Sequence, residues 1–411
     1  MTYNRESKKN KLRSQVVVPE NEDKLQKKHI SVKIVIAVAA FIAAFALFVY
    51  LLYNRKFSTF YDVIWEKELF EEGAKADAFR EYIPYADGMI RYSKDGASYI
   101  DSDGKTVWEK SFQMNSPAAD VNGNYAVIAD EGGSSIYIFN KTGNTGTSTT
   151  ILPLTKAVVS QYGVVFVILK DKNADWITSF KADGGAIDLS VKSIISGDGY
   201  PLDLSVSPDG SQLITSYVSI ENGVVSNKVI FRNFGEIGKN TDARRIVGGF
   251  SDEFSGKLIS RVHFSDEIYS QAFYGGGIVF FSNKVLTSPK VIKNVQYSEE
   301  MVSIAYSDKY VAVVLRQEGE EAESPYRLEV FRTDGKLQGS SNFDFQFESM
   351  NIQENEIIFT GKDSVHIFRV NGNIKAELQI EGVNPDTVIK AKLPDEYIVA
   401  GGNKLIKFKI R

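Results

Sequence analysis

The side chains that most often carry chemistry are scarce in this 411-residue sequence, which has no cysteine and only three histidines. Without thiols there is no disulfide framework, thiol nucleophile, lipid-modified cysteine anchor or thiolate metal centre. His29, His263 and His366 are far apart in the chain, and none forms a pair at metal-ligand spacing. No Gly-x-Ser-x-Gly nucleophile elbow occurs. Gly275-Gly276-Gly277 and Gly401-Gly402 have no helix after them to aim amides at a phosphate, so they read as hairpin turns. Asp209-Gly210 reads as a turn former, and Glu318, Glu320, Glu321 and Glu323 as a solvated loop. What remains are acids near apolar runs, Asp120, Asp203 and Asp266, which could line a channel and bind a metal or small ligand. No catalytic, cofactor-binding or metal-ligating residue is assigned, and no cofactor is expected.

The elements that must position such residues fall into two unlike parts. Residues 1–33 carry a charge of +5, whereas the rest of the chain sums to −9. Ile34–Tyr53 is a run without charge, amide or proline, and as a helix it would span about 30 Å, the thickness of bilayer hydrocarbon. The pattern predicts a single transmembrane helix. Four lysines precede it within ten residues, which places the N-terminus in the cytoplasm and the bulk of the chain outside. The expected organisation is therefore a disordered basic cytoplasmic tail over 1–33, the membrane helix over 34–53, a linker over 54–61 and an extracytoplasmic domain over 62–411. The acidic balance of that domain argues against nucleic acid as a partner. The juxtamembrane lysines are expected to meet lipid headgroups.

Beyond the membrane run, short apolar stretches bounded by Gly, Asp and Asn recur, so the domain is expected to be all β. An apolar marker repeats at Ile100, Phe139, Phe180, Phe231, Phe281, Phe331, Phe368 and Phe408, with intervals of 39, 41, 51, 50, 50, 37 and 40 residues. The mean interval of 44 matches one four-stranded propeller blade. Four residues after the marker stand Gly104, Gly143, Gly184, Gly235, Gly335 and Gly372, where a hairpin turn would need positive φ. The marker should therefore end the third strand of each blade. Inner strand pairs are expected around Asn122-Gly123, Pro208-Asp209-Gly210 and Ser307-Asp308. Eight markers imply an eight-bladed β-propeller, with seven blades as the alternative. No residues remain after the eighth unit for a fourth strand. Ile64-Trp65-Glu66-Lys67 repeats Val107-Trp108-Glu109-Lys110, so Asp62–Phe70 is expected to cross over and close the ring.

The phrase from Ala97 to Phe112, with its Asp-Gly turn and Trp-bearing strand, resembles the repeat of quinoprotein-type propellers. Quinone-dependent dehydrogenases of that shape use an adjacent cysteine pair, which is absent here. Through Tyr125–Asp130, Ile136–Gly143 and Gly199–Gly210, nearly the whole chain resembles domain-of-unknown-function family 5711. The resemblance implies a membrane-anchored propeller and carries over no site residue. The surplus residues of the longer units fall at Val218–Lys228, Asn233–Lys257 and Arg316–Tyr326, all expected on one face, where they could hold a partner. The leading expectation is a non-enzymatic, membrane-tethered scaffold that binds an envelope protein or wall polymer. The alternative is a small-ligand or metal receptor, or an enzyme, that uses the central channel.

Overall fold

A computed structural model describes residues 36, 38–46, 57–69, 80–221, 223–241, 244–254, 256–317, 324–402 and 404–411. By contacts the chain divides into Met1–Lys56 and Phe57–Arg411. In the first unit, Ile36 and residues 38–46 are helical and exposed, while the expected tail and the rest of the expected span lie outside the described residues. Among the described residues no helix is long and apolar enough to cross a membrane.

The second unit consists of eight antiparallel sheets of four strands. Seven of them take four consecutive strands in chain order, and these are blades 1 to 7. Their innermost strands are Arg80–Tyr85, Pro117–Asn122, Leu154–Val159, Tyr200–Val206, Ile259–Phe264, Glu300–Tyr306 and Ser349–Gln353. Blade 8 is composite. It contains Thr387–Lys390, Glu396–Gly401 and Lys404–Ile410, and its outer strand is Tyr61–Glu68 from the other end of the chain. The count is thus eight blades, and the repeated Ile-Trp-Glu-Lys phrase does mark the closing strand.

All eight marker residues are buried and lie within two residues of the end of a third strand. Gly104 shows why the turn after the marker favours glycine: at φ 76° its N–H reaches Asp101 O at 2.9 Å, while Asp101 Oδ1 accepts from Asp103 N and Lys105 N. Gly235 departs from the pattern. Its φ is −76° and it opens the short helix Glu236–Lys239, so no turn there needs a glycine. The structure adds a feature that the spacing did not show. In every blade the ladder between third and fourth strands breaks its register within a residue or two of the marker, and Val107, Ile64 and Ile292 are among the residues bulged out of the fourth strand. Such bulges increase local twist, as a sheet needs if it is to form a wedge around an axis.

The core lies between blades. Eight apolar clusters correspond to the eight interfaces; one joins Met89 and Ile100 of blade 1 to Ile389, Ile398 and Leu405 of blade 8. The segment entering the closing strand grips three blades. Ser58 N donates to Lys375 O (3.1 Å) and Ser58 O accepts from Glu377 N (2.9 Å) in blade 7, Tyr61–Glu68 pairs with Lys404–Ile410, and Lys67 Nζ reaches Gly104 O (2.5 Å) in blade 1. Asp62 with Arg411 and Glu66 with Lys404 add ion pairs at the joint.

The three surplus segments do not share one face. Val218–Lys228 is an extended hairpin, in which Gln212–Glu221 and Val224–Asn233 stay paired to Glu221↔Val224. Asn233–Lys257 contains the fourth strand, Ile246–Phe250, so the excursion over 234–245 joins third to fourth strands and opens at the other end of the blade. Marker spacing reports how many residues a unit gains, not which connection receives them. Arg316–Tyr326 joins second and third strands as expected, although Glu318, Glu320, Glu321 and Glu323 lie outside the described residues.

Candidate functional site

The innermost strands of blades 2 to 6 surround a cavity of 760 Å³. It contains the acids singled out in the sequence, together with Lys156, Arg261, His263 and Tyr306. Asp120 Oδ2 accepts from Val159 N in the next blade at 2.8 Å. Asp203 Oδ2 accepts from Val262 N at 2.9 Å, and Ser205 Oγ from Phe264 N at 3.0 Å, again between neighbouring blades. Gln353 repeats the device from blade 7 to blade 8, donating to Val388 O and accepting from Lys390 N, both at 2.7 Å. Neighbouring innermost strands belong to separate sheets and share no ladder, so side chains satisfy backbone groups that a sheet would otherwise pair. The channel acids Asp120 and Asp203 are therefore inter-blade staples. Asp266 is a turn residue whose Oδ1 accepts from Ile268 N and Tyr269 N, both at 2.7 Å.

Charges in the cavity are largely balanced. Lys156 Nζ lies 3.2 Å from Asp203 Oδ1, Arg261 Nε lies 3.8 Å from Asp203 Oδ2, and an Arg261 terminal nitrogen donates to the Tyr306 hydroxyl at 3.1 Å. Burial pushes Asp120 up to about 6, against the Val159 amide and Lys156, which favour its ionised form. His263 packs against Tyr306 with ring centroids 4.1 Å apart and planes tilted by 31°, and burial pulls it down to about 4. Lys156 and Arg261 escaped the sequence reading because a single cation on a strand gives no signal until a neighbouring blade places a carboxylate beside it.

The other flagged residues are structural. His366 lies in the third strand of blade 7 against Phe345, ring centroids 3.6 Å apart, and His29 is outside the described residues. Gly276 and Gly402 turn hairpins at φ 88° and 57°. Burial would raise the Asp209 carboxyl, but hydrogen bonds from Ser207 and Ser211 outweigh it and hold the group below the usual range. Among the described residues no group of three or more His, Asp or Glu could hold a metal ion.

With the ring closed and its centre stapled, the family assignment can be read against a known geometry: a model described as "Family of unknown function (DUF5711)" matches residues 53–410. The chain belongs to this family. No curated protein matches it. Among solved structures, it is similar to Sqt1 from Chaetomium thermophilum at 13% identity and a TM-score of 0.54, covering 86% of this chain and all of that one. BamB from Moraxella catarrhalis is also 13% identical, with a TM-score of 0.52, covering 85% of this chain and all of that one. Chaetomium thermophilum Sqt1 bound to the N-terminus of ribosomal protein L10 aligns at 14% identity with a TM-score of 0.50, covering 81% and 93%. At such identities the likeness extends to the fold, a propeller of the quinoprotein and WD40 kind.

A second candidate surface lies on the blade 4 hairpin. Its strands are ten residues long, and Ile220, Val224 and Val225 are 73%, 65% and 48% exposed at the tip. Ile194 and Tyr200, also exposed, stand beside it at the junction of blades 3 and 4. From the sequence, Val218–Lys228 reads only as surplus residues that could hold a partner. Only pairing across the turn reveals an apolar prong.

Proposed function

We propose that this chain is a non-enzymatic, membrane-tethered extracytoplasmic scaffold that captures an envelope protein through the blade 4 hairpin. The observation that carries the reading is the contrast between the two candidate surfaces. The channel acids are engaged in holding blades together, whereas Ile220 and Val225, register partners at the hairpin tip, project apolar side chains into solvent. The uncharged run Ile34–Tyr53 and the lysines before it support a single anchor with a cytoplasmic N-terminus. Fourth strands start at the end of the ring that carries the third-to-fourth turns. Tyr61–Glu68, as a fourth strand, starts at that end, and the blade 4 hairpin lies at the opposite end of the ring. The Sqt1 structure with the N-terminus of L10 illustrates a ring of this architecture bound to a partner segment.

A photocrosslinking residue at position 220 should yield a discrete protein adduct in cells, and Ile220→Glu with Val225→Glu should abolish adducts formed from a neighbouring tip position while the unfolding temperature stays within about 2 °C. Absence of any adduct contradicts the proposal. Protease added to intact cells should remove the propeller and spare the basic tail. The 760 Å³ cavity supports a second reading, a small-ligand receptor. Saturable thermal stabilisation by a metal, nucleotide, quinone or glycan would favour that reading.

A further inference from the structure

The seam between blades 3 and 4 holds positive charge without a matching carboxylate. Arg232, in the third strand of blade 4, sits opposite Leu213 and is only 4% exposed. Its Nε and one terminal nitrogen, Nη1, are buried with no hydrogen-bond partner among the described residues. The guanidinium lies over the ring of the buried Tyr217, 5.5 Å from the centroid. Lys228, the register partner of Tyr217, stands 5.9 Å from the same ring. Neither cation forms a salt bridge among the described residues.

Other groups here also lack partners. Thr215 lies between Leu213 and Tyr217 on the same face of the strand, and its Oγ1 is buried and unbonded among the described residues. Across the seam, blade 3 presents the Ser179 hydroxyl, likewise buried and unbonded, and the Ser193 hydroxyl, 3.2 Å from that of Tyr217. Asp175, opposite Ser193 in the ladder, accepts a bond from Asp171 N at 3.4 Å. Burial holds its carboxyl above the ordinary range, the reverse of what an adjacent guanidinium would do.

A guanidinium can only donate, and hydroxyls can turn their protons toward an acceptor, so these groups lack a negative charge rather than another donor. Removing a cation from water without a counter-charge is strongly unfavourable. We propose that this seam binds a small monovalent anion of the halide type, held by Arg232 Nε–H and Nη1–H with the Thr215 hydroxyl, and that the ion fastens blade 4 to blade 3. Leu213, Phe166 and Ile177 pack around the seam as an apolar wall. A phosphate would bring four oxygens, more acceptor capacity than the unbonded donors of Arg232 and Thr215 fill, whereas one small spherical anion needs no more donors than these.

The purified full-length chain should show a saturable rise in unfolding temperature, about 2 °C or more, when chloride or bromide replaces gluconate at constant ionic strength. Arg232→Met should abolish that dependence. If that variant does not fold, the wild-type titration stands alone beside a second measurement: crystals soaked in bromide should give an anomalous peak within hydrogen-bond distance of the Arg232 guanidinium. Equal unfolding temperatures in chloride and gluconate, or a bromide-soaked crystal in which water alone solvates Arg232, would overturn the proposal.

Discussion

His366 stacked on Phe345 and His263 packed against Tyr306 are each held near 4 by burial, against an ordinary value of 6.5. The unfolded chain takes up protons at these imidazoles first, so the stability they contribute is complete above pH 6.5 and is lost as pH falls toward 4. Asp120 acts in the opposite sense. Its folded value of about 6 exceeds its ordinary 3.8, so protonation favours the folded ring as pH falls from 6 toward 3.8. Two imidazoles outweigh one carboxyl, and denaturant titrations should show a net loss of about 1–3 kcal/mol between pH 7 and pH 5. His366→Phe should keep the stack and remove most of that net loss, because the gain from Asp120 nearly offsets the one imidazole that remains; an unchanged pH slope would contradict the assignment. Asp120→Asn keeps an acceptor for Val159 N while removing the buried charge. It should gain about 1 kcal/mol at pH 8 and nothing below pH 4, measured the same way.

Where elements meet, the staples and bulges govern. Gln353 satisfies two backbone groups of blade 8 at once, so Gln353→Leu should cost about 2 kcal/mol and raise amide exchange specifically over Thr387–Lys390. Gly104 combines φ 76° with a ring contact: a Cβ there would lie 2.9 Å from Trp65 Cη2 in the closing strand. Gly104→Ala should therefore cost about 1–3 kcal/mol in equilibrium unfolding. A neutral result would mean that the strand moves freely against blade 1. Strand identity, turn chemistry and the apolar markers were legible in the sequence because each depends on residues a few positions apart. The bulges and staples were not, because the residue that makes them necessary lies in another strand or another blade. Asp120 and Asp203 read only as acids that could line a channel until Val159 and Val262 are placed beside them.

Closure is a property of the whole ring. The closing strand supplies the outer edge of blade 8 and packs Trp65 against the apolar cluster containing Met89 at the interface with blade 1, while Ser58 just before it bonds to blade 7. Deleting residues 57–68 should leave Lys404–Ile410 as a bare edge, and the shortened chain should self-associate in size-exclusion chromatography. A synthetic peptide spanning Tyr61–Glu68, added in excess, should restore the monomer; a monomeric, equally stable deletion would show that the ring closes without it. The same topology gives the ring two unlike ends, one receiving the chain from its N-terminal segment and the other bearing the blade 4 hairpin.

Taken alone, the sequence pointed to eight blades with seven as the alternative, and located each third strand and the residues that complete the last sheet, because the blade is a local unit repeated along the chain and each copy carries its own apolar and turn signals. The tertiary structure decided which end of blade 4 receives its extra residues, that the channel acids bind neighbouring backbones, and that Arg232 is enclosed without a carboxylate. Those features arise only when blades far apart in sequence are brought together, and burial, pairing and electrostatic balance are properties of that juxtaposition rather than of any single residue type.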